Sequence, residues 1–257
     1  MGNQKMNKGF FLLLMVVVVL AGCDKEARVV QQQAPEPWCS SPPEKWPQIV
    51  MTNSTEFKGH TPLRGASSFL IRTESGNVLA ATARHLLGEN GGVEPALPVA
   101  ELDSKLGFWH MHPRTLPKQR VRIAGSATRA DSGKSNDWLL LKLVEGEVPA
   151  VAPLKIRPEP VKVGDQVFLI GVSYAEPDAT QKVYSGRVTE RGFGDRFRYT
   201  ITPHVDISGF SGAPIVDEKG LLVGVMTVWF RPKMNGELFT EAGGEDARSA
   251  LSVMKTP

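Results

Sequence analysis

The sequence predicts an all-β fold of barrel or sandwich type, and three observations predict it. From about Ile49 onward the chain is a succession of short apolar runs bounded by Gly, Pro, Asn and Asp, with few helix signals. The clearest are "SSFLIRT", "NVLAATA", "VRIAGSAT", "WLLLKLV", "QVFLIGV", "VYSGRVTE", "FRYTITP", "APIVD" and "LLVGVMTVWF". The stretches "ESGN" (74–77) and "DEKG" (217–220) carry hairpin-turn chemistry. A proline-punctuated segment, Val148 to Pro160, divides the strands into two similar sets. No repeat with a period of roughly 20–50 residues recurs, which excludes a solenoid or propeller.

Residues 1–22 read as a leader outside the fold. Lys5 and Lys8 form a short basic start, and Phe10 to Ala21 is an unbroken apolar run. That run is shorter than the roughly 20 residues that span a bilayer and suits a secretory leader. It ends in Leu20-Ala21-Gly22-Cys23, which resembles the bacterial lipobox. The resemblance implies that Cys23 is lipidated and becomes the new N-terminus. It would carry several acyl chains, enough for a stable anchor where one alone is not. The expected location is a bacterial cell membrane, with the domain facing the periplasm or the exterior. Asp24 favours the inner membrane if the source is enterobacterial.

Export places the chain in an oxidising compartment. With Cys23 taken by lipid, Cys39 has no intramolecular partner and is free or intermolecular. The fold must therefore rest on its core, and the length remaining is enough for one large domain. Losing Lys5 and Lys8 with the leader leaves 28 of the 30 basic side chains against 27 acidic ones. With that near balance and no basic run, nucleic acid is not an expected partner.

Residues 23–48 read as a tether, because Gln31 to Gln33 and Pro35, Pro37, Pro42, Pro43 and Pro47 favour extended, unpacked chain. Trp38 and Trp46 stand out in it as rings that can dock on the domain. At the far end, Gly244-Glu245-Asp246 followed by Ala247, Ala250, Leu251 and Met254 predicts a short helix over about 245–254.

Three stretches carry candidate chemistry. "ATARHLLGEN" places His85 after a small-residue strand. "SNDWLLLKL" places Asp137 at the mouth of an intensely apolar strand, whereas the rival Asp131 lies in a polar loop. "DISGFSGAPIVDEKGLLVGV" holds Ser211 in a tight turn between Gly209 and Gly212. A nucleophilic serine needs its hydroxyl clear of the backbone and N–H groups converging where an oxyanion will form. Glycine two places earlier permits a left-handed backbone there. The turn is not the nucleophile elbow of α/β-hydrolases, because Ala213 fills the fifth position. Taken singly, each stretch also reads as an ordinary turn or core feature. Together they stand in the order His85, Asp137, Ser211.

That order, with these local sequences, resembles the chymotrypsin-like serine proteases. "GASSFLI" with "VLAATARHLL", "NDWLLLKL" and "GFSGAPIVDEKGLLVGV" are similar to the family's histidine, aspartate and serine segments. Within the family the chain looks most like the bacterial high-temperature-requirement proteases, through "VKVGDQVFLIG" and "YSGRVTE". The resemblance covers roughly residues 62 to 228. It implies two six-stranded antiparallel β-barrels, the first at about 49–147 and the second at about 161–243, with the short C-terminal helix after them. It implies a Ser-His-Asp endopeptidase acting on protein or peptide through an acyl-enzyme, without cofactor or metal. The Gly209 and Ser211 N–H groups would form the oxyanion hole. Val205 would lie at the base of the specificity pocket, and Thr227, Val228 and Trp229 would run beside the substrate.

The chain also departs from the family. Phe210 stands where the family has Asp or Asn, so no zymogen-type activation by a freed N-terminus is expected. Ala213 replaces a glycine. No PDZ-like module is expected after the barrels. Two competing readings come from other classes. One is an inactive protease fold acting as a binding or scaffold lipoprotein, against which the complete trio argues. The other is a metal half-site at His110 and His112, sharing one strand face in "FWHMHP" but lacking an evident third ligand. His60 and His204 read as structural or surface residues, with His204 near enough to Ser211 to line a substrate cleft.

Overall fold

In a computed structural model, residues 37–131, 136–192, 194–230 and 239–255 are described. The leader, Cys23 and the tether up to residue 36 lie outside the described residues. No described helix is long and apolar enough to cross a membrane.

The first barrel is built from β1 (Met51–Phe57), β2 (Arg64–Arg72), β3 (Val78–Ala83), β4 (Leu106–His112), β5 (Val121–Ser126) and β6 (Trp138–Leu143). Their order is β1-β4-β5-β6-β3-β2, and a β1–β2 pairing closes it. A two-residue strand, β7 (Leu154–Lys155), adds to β2 in parallel. The second barrel is built from β8 (Gln166–Gly171), β9 (Lys182–Arg191), β10 (Arg196–Ile201), β11 (Pro214–Val216), β12 (Leu222–Phe230) and β13 (Thr240–Asp246). It closes in the order β10-β13-β12-β11-β8-β9, with every pairing antiparallel. The two six-stranded antiparallel barrels are those expected from the sequence.

The period-two geometry of strands explains the continuous apolar runs. In β6, Leu139 and Leu141 point into the first barrel, while Trp138 and Leu140 point the other way. β2 repeats the pattern, with Leu70 inside and Phe69 and Ile71 outside. The outward set packs on Ile170, Val216, Leu222 and Val225 of the second barrel, so both faces of β6 are buried. Each such side chain contributes about 1.5–3 kcal/mol relative to exposure. The second barrel has its own interior, including Leu169, Phe197, Tyr199, Phe210 and Ile215. The site-bearing ends of β3, β6 and β11 are thus fixed by packing from three sides.

Trp38 and Trp46 dock on the domain, while most of the residues between them stay exposed. Trp46 is buried, with its ring edge-on to Phe168 at 5.1 Å and to Trp38 at 5.4 Å. Trp38 in turn lies over Gly220 of the "DEKG" turn, where a Cβ would come within 2.2 Å of the indole. At the C-terminus, β13 continues through Glu245 and Asp246, which pair with Arg196 and Gly224. The ladder outcompetes the predicted helix start, and the helix, α2, spans only Ser249–Val253. A one-turn helix, α1 (Leu102–Lys105), was not expected.

Candidate active site

β3 and β6 set the first half of the site. Their antiparallel register puts Ala83 opposite Trp138, which brings the next residues, Arg84 and His85, beside Asp137. The Arg84 N–H donates to the Asp137 carbonyl at 2.6 Å. His85 lies not in the strand itself but in a 3-10 turn, Arg84–Leu87, directly after it. Its Nδ1 is 2.6 Å from Asp137 Oδ2, and its backbone N–H donates to Asp137 Oδ1 at 2.8 Å. Both side chains are 18% exposed, so the pair is largely shielded from water. Asp131 is not at the site. It is exposed, 3.8 Å from Arg129.

The turn before β11 sets the second half. Gly212 has φ +82°, and a Cβ there would come within 2.3 Å of Ser67 O and Thr82 Oγ1. That close approach pins the residue after Ser211 to the end of β3, just before His85. The Ser211 carbonyl accepts from Ser67 N–H at 2.9 Å, and the Gly212 N–H donates to Met226 O at 2.9 Å. The turn is therefore tied to both barrels. Phe210 drives its ring into the second-barrel core, against Gly171 and edge-on to Tyr184 at 5.6 Å. That burial turns the neighbouring Ser211 away from the core, and Ser211 is half-buried. Among the described residues its hydroxyl has no hydrogen-bond partner. Gly209 has φ +91°. Neither its N–H nor that of Ser211 has an acceptor among the described residues.

The expected specificity residues fall as follows. Val205 is half-buried, and its N–H and carbonyl both meet Thr240 Oγ1 at 2.8 Å. Asp206 is turned to its own loop, bonded to Ser208 N–H at 2.9 Å, Ser208 Oγ at 3.0 Å and Ser173 Oγ at 3.3 Å. Those bonds, the Ser208 N–H first, hold its carboxyl below the usual range. Thr227 sits at a bulge in β12, and Val228 is exposed beside a cleft of about 700 Å³. The Trp229 backbone pairs with Ala242, but its side chain lies outside the described residues. His204 Nδ1 lies 3.0 Å from Thr240 Oγ1, and His60 Nδ1 lies 2.6 Å from Pro95 O. His110 and His112 are half-buried on β4, with Trp109 and Met111 buried on the opposite face. Among the described residues no group of three metal-ligating side chains occurs.

Two residues of the site were not singled out in the sequence. Tyr174 lays its ring against Gly65 and Gly209, and its hydroxyl accepts from the Ala66 N–H at 2.7 Å. Its own N–H donates to Ser208 O at 3.0 Å, and the Arg114 guanidinium lies 5.5 Å from its ring centroid. Tyr174 thereby braces the Gly209 peptide against β2. Glu245, buried in β13, accepts the Asp137 N–H at 2.6 Å. The only sequence signals were a lone aromatic in a polar turn and an acid at the start of the predicted helix.

Two closed barrels with a histidine–carboxylate pair and a glycine-flanked serine between them define a peptidase of the two-barrel type. The chain belongs to the trypsin-like peptidase domain family, whose pattern matches residues 66–225. Its structure is similar to kallikrein-related peptidase 10, with TM-score 0.55 and 16% identity, over 82% of this chain and 95% of that one. It is also similar to the serine endoprotease from Yersinia pestis, with TM-score 0.52 and 16% identity, over 82% of this chain and 62% of that one. At these identities the likeness is one of fold. No curated protein sequence matches the chain significantly.

Proposed function

We propose that the protein is a membrane-anchored serine endopeptidase in which Ser211, His85 and Asp137 cleave peptide bonds through an acyl-enzyme. The observation that carries this reading is the His85–Asp137 pair at 2.6 Å, held beside the pinned Ser211 turn. His85 Nε2 takes the Ser211 proton as Oγ attacks the carbonyl carbon, then gives it to the leaving amine. Asp137 Oδ2 accepts from Nδ1–H, which fixes the tautomer and offsets the imidazolium charge. The Gly209 and Ser211 N–H groups receive the oxyanion. Water then enters and the same steps run in reverse order to release the acid. The test is covalent labelling by a fluorophosphonate probe, together with proteome-wide cleavage profiling of wild type against Ser211→Ala. Ser211-dependent labelling and cleavage support the reading. A folded wild type that neither labels nor cleaves means an inactive protease fold acting as a binding protein.

Substrate preference follows from Val205 at the pocket base. An apolar base offers no partner for a buried Lys or Arg, and an unpaired buried charge is costly. The Asp206 carboxylate is already engaged by three bonds within its own loop and neighbour. Together with a bulky residue at 229, this predicts a shallow apolar pocket that prefers Ala, Val or other small aliphatics before the cut. The margin is about 1–3 kcal/mol per methylene or so, and Trp229→Gly should admit larger residues. A peptide library dominated by Arg, Lys or Phe at that position would sink the pocket assignment and leave the triad untouched.

Anchoring is proposed through the lipidated Cys23, in a membrane facing the periplasm or cell exterior. Cys23→Ser should release the protein into the soluble fraction or leave it unprocessed. Full membrane association of that variant with leader cleavage intact would refute a lipid anchor.

A further inference from the structure

We infer that Glu245 is a positioning residue for the Asp137–His85 pair: from the second barrel it holds the Asp137 main chain, and its negative charge supports the positive ring that His85 becomes during catalysis. The inference rests on the hydrolytic reading above and adds to it a group outside the triad.

The start of β6 and the two residues before it are clamped to β13 and α2 at three successive residues. Asn136 Nδ2 donates to Ser249 O at 3.4 Å, Asp137 N–H to Glu245 Oε2 at 2.6 Å, and Trp138 Nε1 to Asp246 O at 3.3 Å. Only the middle clamp ends on an ionisable side chain. Glu245 is 2% exposed, so its charge acts through protein rather than water. A buried carboxylate is costly to ionise unless a cation offsets the charge. Its retention directly behind the Asp137 main chain calls for a role.

The groups around it come from every packed element. On β10, Arg196 is its ladder partner, and Asp195 precedes that strand. On β12 the opposing residue is the apolar Val225. On its own strand, Asp246 is bonded by Arg191 and Arg248. Arg129, Glu190 and Arg198 line the same cleft as Glu245. Facing it from the first barrel is Asp137, with His85 beyond. Burial raises the Glu245 carboxyl to about 7; repulsion from Asp137 and Asp195 adds to the rise, and the Asp137 N–H and Arg196 oppose it. The group therefore changes charge near neutral pH. When ionised, it accepts the Asp137 N–H through a charge-assisted bond and adds a second negative charge on the side of Asp137 away from the ring. When protonated it keeps the contact but withdraws the charge. No proton passes between Glu245 and Asp137, so the hydrolytic steps balance unchanged.

The test compares wild type with Glu245→Gln, whose amide oxygen can still accept the Asp137 N–H, across about pH 5–9. At the alkaline end kcat should fall about tenfold with KM unchanged, equivalent to one pKa unit of differential charge stabilisation. The acid limb of the wild-type kcat profile should contain a second ionisation near pH 7, and the variant should lose it. Stability supplies a readout independent of hydrolysis. The folded state holds the Glu245 proton more tightly than the unfolded chain. Wild type should therefore lose stability relative to the variant as pH rises from the ordinary glutamate value of 4.5 through about 7. Glu245→Met, of similar volume, replaces the Gln variant should that one fail to fold. A variant with wild-type kcat and an unaltered pH profile overturns the inference while Ser211-dependent cleavage persists. Absence of such cleavage in wild type overturns the hydrolytic reading, and this inference with it.

Discussion

Ser211→Ala and His85→Ala should each remove essentially all hydrolysis, about 10⁶-fold in kcat, because serine and histidine act as one unit. The two variants should differ in stability. The Ser211 hydroxyl has no hydrogen-bond partner among the described residues, and the turn is held by its carbonyl and by Gly212. Its removal should leave the melting temperature unchanged. His85→Ala keeps the backbone bond to Asp137 Oδ1 but strips Oδ2 of its partner in a largely shielded setting. An unsatisfied acceptor of that kind costs about 1–3 kcal/mol, reduced here by the residual exposure. Hydrolysis assays and thermal melts on the purified variants check both parts. Residual Ser211→Ala activity above the level of oxyanion binding alone would mean that another residue is the nucleophile.

What could be read from the sequence was what depends on periodicity and on local turn chemistry. The strands emerged because apolar runs punctuated by Gly and Pro have few alternatives, and "DEKG" forms its turn through Asp217 Oδ1 bonded to the Lys219 and Leu221 N–H groups. His85 and Asp137 stood out because each sits just beyond the end of a strand, and the β3–β6 register then makes their meeting unavoidable. Their partners from distant segments were not legible. Tyr174 reaches Gly65 and Gly209 across the junction of the barrels, a contact that no local pattern encodes. Glu245 was read as a helix start because Gly-Glu-Asp before an alanine-rich stretch has helix-start chemistry. Ladder pairing with Arg196 and Gly224 decides the matter in three dimensions. Trp38 and Trp46 could be picked out as docking rings, but what they dock on, Phe168 and the turn at Gly220, exists only once the second barrel has formed.

Asp137→Asn should lose about 10⁴-fold in kcat while keeping the fold. The geometry makes the argument specific. Both Asp137 oxygens act as acceptors for His85: Oδ1 from the backbone N–H at 2.8 Å, Oδ2 opposite Nδ1 at 2.6 Å. An asparagine has one acceptor and one donor group. If its oxygen stays on the backbone N–H, its amide nitrogen faces Nδ1 and donates to it. The neutral ring must then carry its proton on Nε2, the nitrogen that has to accept from Ser211. If the side chain flips, the amide confronts the backbone N–H, donor against donor. The first arrangement is the less costly, so the variant settles into the wrong tautomer rather than unfolding. The remaining Asp137 contacts are made by its main chain, to Glu245 and Arg84, and survive the substitution. Asp131→Asn is the control. Its carboxylate is exposed and only loosely paired with Arg129, so activity and melting temperature should stay at wild-type values. Near-full activity in Asp137→Asn, measured beside that control, would remove Asp137 from the machinery and with it the reason for the His85 tautomer.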